Sequence, residues 1–190
     1  MAFRRNEARR PKGRGFHSSK RNPATDIHGL KTAVLRWRDR PRFLISACLA
    51  GINCTYNAKN NLIPAMRKLF LSGDCLLVCP EVMGGLPVPR PRAEIVGGDG
   101  LDVLHGKAKV INVLGKDVTG ECVRGAAIAL RLANKYGIKK AILKAGSPCC
   151  GKGRIYNDHF NGVLKKGSGV LTSAFMARKI KVYSEKDFRK

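Results

Sequence analysis

From residue 43 onward, short apolar runs alternate with amphipathic stretches. Phe43 to Ala47, Cys75 to Val78 and Lys140 to Lys144 read as buried strands, and Lys181 to Tyr183 as a last one. Between them, Ile63 to Ser72 reads as a helix that tolerates Pro64 in its first turn. Residues 120–136 form the clearest helical pattern, with Val123, Ala126, Ala127, Leu130 and Ala133 on one face and Gly137 where a helix would stop. Residues 169–179 read as another helix. Leu101 to Leu104 and Lys109 to Val113 read as short strands, and Pro80 to Glu94 as a loop built on Gly84, Gly85, Pro87, Pro89 and Pro91. Alternation of this kind predicts an α/β domain over 43–190, with a mainly parallel sheet flanked by helices in a Rossmann-like, three-layer arrangement.

Three cysteines follow the central strand runs: Cys48, Cys79 and Cys150. Parallel strands gather whatever lies just past their carboxyl ends into one crevice, so thiols far apart in sequence can meet there. Three thiols in a crevice suggest a metal or cluster site rather than structural bridges. The total of seven cysteines is odd and irregularly spaced, which favours free or metal-bound thiols in a reducing compartment. The four histidines show no metal-ligand spacing.

Charge changes the picture next. The 190 residues carry 37 Lys and Arg against 13 Asp and Glu, a net of +24. Residues 1–42 combine Arg4, Arg5, Arg9, Arg10, Lys12, Arg14, Lys20 and Arg21 with early Pro and Gly and little apolar periodicity. They read as an irregular basic extension that would order only on a partner. The stretch Arg14 to Ser19 also resembles the end of a mitochondrial presequence, so a mitochondrial matrix location is expected, with the cytoplasm as the alternative. Lys139, Lys140, Lys165 and Lys166 extend the basic character onto the domain. Few aromatics punctuate these runs, which favours contact with backbone phosphates over base stacking. No apolar run reaches the roughly 18–20 residues of a membrane span, and no membrane partner is expected.

Gly146 to Gly153 follows a strand and superficially fits a phosphate-binding loop. Gly153 stands where Ser or Thr should hold magnesium, and Pro148 removes a backbone donor, so a nucleotide-hydrolysing site is not expected.

Five ordered motifs carry a more specific signal: Ser46-Ala47-Cys48-Leu49, Cys79-Pro80-Glu81-Val82, Gly84 to Pro91, Asp117-Val118-Thr119 and Ser147-Pro148-Cys149-Cys150-Gly151. Over residues 43–185 the chain resembles the thiouracil desulfidase family. The resemblance implies a [4Fe-4S] cluster on Cys48, Cys79 and Cys150, with one iron open to receive sulfur from a thiolated pyrimidine. It also implies that Glu81 and Ser147 face the substrate as catalytic groups. Cys149 competes with Cys150 for the third position, and Cys54 is a spare thiol; Cys75 and Cys122 fit the core.

Three departures from the family pattern stand out. Tyr56-Asn57-Ala58, Asn157-Asp158-His159 and Gly167-Ser168-Gly169 replace segments where relatives commonly carry another carboxylate or glycine. Retained cluster ligands amid drifting acidic positions, together with +24, lead to one main expectation. It is an RNA-binding structural component of a ribonucleoprotein particle, a mitochondrial ribosome, with rRNA and ribosomal proteins as partners. The alternative is an active iron–sulfur desulfidase acting on thiolated pyrimidines, free or in RNA.

Overall fold

A computed structural model describes residues 41–188. Its centre is a four-stranded, all-parallel sheet in the order β2-β1-β5-β8, formed by Phe43–Ser46 (β1), Cys75–Val78 (β2), Lys140–Leu143 (β5) and Lys181–Ser184 (β8). Side chains alternate across it. Leu44, Ala141 and Leu143 enter one core, under Gly100–Leu104 (α3), Thr119–Lys135 (α4) and Val170–Ala177 (α5). Ile45 and Ile142 enter the other, with Met66 of Pro64–Leu71 (α1). The sheet is therefore covered on both faces, as an apolar parallel sheet requires, and the α/β layering expected from the sequence is what the structure has. None of the described helices is long and apolar enough to cross a membrane.

Two antiparallel hairpins stand outside this sheet. Ala93–Val96 (β3) pairs with Lys109–Asn112 (β4), and Arg154–Tyr156 (β6) with Leu164–Lys166 (β7). The expected loop from Pro80 to Glu94 holds a one-turn helix, Pro80–Met83 (α2), and the start of β3. Leu101 to Leu104 is helix α3 rather than a strand. Asp99 accepts the Leu101 and Asp102 N–H groups while the Asp102 side chain returns to the Asp99 N–H, and this reciprocal cap decides in favour of helix.

The buried face of α4 is turned slightly from the expected one. Cys122, Gly125, Ala126, Ala129 and Ala133 are buried, whereas Val123, Ala127 and Leu130 are half-buried. Close approach explains this: a Cβ on Gly125 would run into the Pro80 carbonyl, and one on Gly84 into the Glu121 carbonyl. α4 therefore meets α2 through its smallest residues, which fixes the segment carrying Cys79 and Glu81 against the core. Helix α5 is buried almost all round, from Val170 to Phe175.

Candidate functional site

Strand order reverses at β1: β2 lies on one side of it and β5 on the other. Ligands in open parallel sheets bind outside the carboxyl ends of strands at such a point. A cavity of about 530 Å³ opens there, walled by Cys48 just past β1, Cys79 just past β2 and Cys150 in the loop after β5. The three thiols come together because their strands are neighbours.

Cys54 lies between two of them. Its thiol is shared with Cys48 and Cys79, and its own ionisation is pushed strongly up. In return, the Cys54 thiol lowers Cys48 against the opposing effect of burial, with Asn61 and Lys144 contributing. It also lowers Cys79 to about 7, helped by the Val82 N–H and Arg90. Burial pushes Cys150 up, partly offset by a hydrogen bond with Ser46. Two of three thiols are thus biased toward thiolate, the form that binds metal. Among the described residues, no three His, Cys, Asp or Glu side chains gather as donors for a single ion. Thiolates that each take a different iron of a polynuclear cluster need no such gathering. The donor set, three soft thiols lining one roomy cavity, fits a cluster.

A buried ion pair lines the same cavity. Glu81, in the first turn of α2, receives Arg90 through Nε at 2.6 Å and Nη2 at 2.5 Å; the Arg90 side chain is 5% exposed. Arg90 also donates to the Cys54 carbonyl at 2.9 Å and the Pro87 carbonyl at 3.2 Å. Ser147 donates to the other carboxylate oxygen, Oε1, at 3.3 Å. Its Oγ accepts the N–H groups of Cys149 and Cys150, both at 3.1 Å, so its proton is directed toward Glu81. Lys144 completes the wall, held by the buried Glu185 at 2.7 Å.

The remaining cysteines stand elsewhere. Cys149 is fully buried against Cys122, whose thiol, together with burial, pushes it up, and it does not line the cavity. Cys75 is in the core, pushed up to about 12 by burial. Of the basic residues expected to touch nucleic acid, Arg4 through Arg21 lie outside the described residues. Lys139 and Lys140 are exposed at the amino end of β5, the end away from the cysteines. Lys165 is occupied by Asp158 at 3.0 Å and by the Ile95 carbonyl, while Lys166 is exposed. Sequence reasoning missed Arg90 and Glu94, both of which line the cavity. The available signals were an arginine set among prolines and a carboxylate interrupting an apolar strand run.

The family model for 2-thiouracil desulfurase matches residues 43–187, the whole sheet and every wall of this cavity. The chain belongs to the 2-thiouracil desulfurase family. A solved structure of the [4Fe-4S]-dependent thiouracil desulfidase TudS is similar to it at 40% identity and a TM-score of 0.69, covering 78% of this chain and 93% of that one. The uncharacterized protein YbbK of Bacillus subtilis (strain 168) is 42% identical over 144 residues, 76% of this chain and 95% of its own length.

These matches overturn the expectation of a structural ribosomal component. They are to a desulfidase family and a desulfidase structure, and none is to a ribosomal or RNA-binding protein. The physical reason is that net charge governs solubility and association without specifying a partner. The acidic positions that differ from the family pattern also leave Glu81 and Ser147 in place.

Proposed function

We propose that this protein is a thiouracil-type desulfidase, replacing the C=S group of a thiolated pyrimidine with C=O. One water is consumed and sulfur leaves as hydrosulfide. The observation that carries this reading is a single cavity lined by Cys48, Cys79 and Cys150 together with the Glu81–Ser147 pair. Support comes from the family match and from TudS, which is [4Fe-4S]-dependent.

Cys48, Cys79 and Cys150 would hold a [4Fe-4S] cluster, whose fourth iron supplies a Lewis acid for the departing sulfur. The chain's own groups handle protons. Arg90 fixes the Glu81 carboxylate from one side and Ser147 donates to it from the other. Glu81 is thereby held as an acceptor for a proton from water or from the ring, with the Ser147 hydroxyl fixing its second oxygen.

The test is sulfide release from 2-thiouracil by anaerobically prepared, iron-loaded protein. Wild type should release sulfide and Glu81→Gln should lose about 10²-fold or more in kcat. Absence of sulfide from iron-replete wild type would end the proposal.

A further inference from the structure

Glu94 shares the cavity but has no part in the chemistry above. It is only 4% exposed. On β3 it points away from Ile95, which enters the core. Its Oε2 accepts the Phe160 N–H at 3.2 Å. Among the described residues no other protein group donates to either oxygen, and no cation lies within ion-pair distance. Glu81, on the same cavity, has both oxygens engaged. Burying a carboxylate with one neutral donor leaves much of its lost hydration uncompensated. The surrounding loop is built to reach this residue: Asp158 at φ 69° and Phe160 at φ 53° occupy the left-handed region that bulky residues rarely adopt. In that conformation the Phe160 N–H meets Glu94 and its carbonyl accepts Arg92 at 2.6 Å.

We propose that Glu94 is the specificity-determining acceptor for a ring N–H of the thiolated pyrimidine, with Oε1 taking the donor that the protein does not supply. This rests on the desulfidase reading. The neutral free base carries two ring N–H donors, and an ionised carboxylate only accepts. A site built around such a bond discriminates against a ring that lacks the N–H, because the buried oxygen is then left unpaired. Rings methylated at the recognised nitrogen are rejected; rings that keep its proton are taken.

Glu94→Gln separates this role from simple anchoring of the loop. The glutamine carbonyl still accepts the Phe160 N–H, while its amide places a donor where the ring N–H points. With full-length, iron-loaded protein, the variant should raise KM for 2-thiouracil about tenfold or more at nearly unchanged kcat. Iron content should match wild type, and the melting temperature should be equal or higher. N1-methyl- or N3-methyl-2-thiouracil, one of the two, should show the same loss on wild type, and that loss should shrink on the variant. Uracil, titrated calorimetrically, should bind wild type at least tenfold more tightly than Glu94→Gln, about the weight of one hydrogen bond to a charged group. An unchanged KM, equal uracil affinity, no uracil binding to either protein, or a joint fall in iron content and melting temperature would each overturn the assignment. If wild type released no sulfide, the desulfidase reading would fall, and uracil affinity alone would decide whether Glu94 binds the ring.

Discussion

Arg90→Met is the sharpest probe of how the cavity is held. The substitution keeps much of the aliphatic stem and removes the guanidinium, whose side chain is 5% exposed beside a Glu81 that is 17% exposed. Four contacts go with it: two to Glu81, one to the Cys54 carbonyl and one to the Pro87 carbonyl. Breaking a buried pair by removing one partner leaves the other charge uncompensated and costs about 3–5 kcal/mol. In a domain of this size that is roughly 6–20 °C in Tm. The assay is anaerobic thermal unfolding of iron-loaded protein, with iron counted on each sample so that cofactor loss and unfolding are separated. The double variant Glu81→Leu with Arg90→Met should recover most of the loss, since it leaves no lone charge. A single-variant cost below about 1 kcal/mol would refute the reasoning, as would a double variant that shows the sum of the two single losses.

Other outcomes follow from the same geometry. Cys48→Ser, Cys79→Ser and Cys150→Ser should each abolish or sharply reduce bound iron and sulfide, whereas Cys75→Ala and Cys149→Ser, which lie off the cavity, should retain them; iron and sulfide analysis decides. Gly125→Ala should drive α4 from α2, costing roughly 3 kcal/mol or more by urea unfolding and lowering iron content, because the added methyl meets backbone that cannot yield. Asp117 is held below the ordinary carboxylate range by the Thr119 hydroxyl and N–H, with Lys109 contributing. A depressed folded-state pKa gives stability that is present above the unfolded value and is lost as pH falls through the folded one. Asp117→Asn should therefore be less stable than wild type at neutral pH, with the difference closing in acid; urea midpoints from pH 7 to 3 measure it.

The strands that build the site were legible in sequence because each is a short, nearly uninterrupted apolar run, the mark of a sheet covered on both faces. Their parallel pairing then brought Cys48, Cys79 and Cys150 to one mouth. Leu101 to Leu104 was misread because four residues with two apolar ends fit either period, and the deciding contact is the Asp99–Asp102 cap. The face of α4 was displaced because hydrophobicity favours Val123 and Leu130, whereas close approach to α2 selects Gly125. Glu94 was hidden because its partner Phe160 is 66 positions away, and Arg90 because an irregular proline-rich segment has no period to show that it turns back to Glu81, nine positions earlier. The expectation of a ribosomal role gives a diffuse positive charge more weight than five ordered family motifs.

Because Cys48 and Cys79 hang from adjacent strands, the ladder of main-chain bonds between β1 and β2 serves as the ruler for their separation. Neighbouring strands keep about 4.8 Å between them whatever the side chains outside do. The exterior of this protein is thus free to gain or shed lysines without disturbing the spacing of these two sulfurs. A neutralised version with Lys139 and Lys140 replaced by glutamine should load iron as well as the parent.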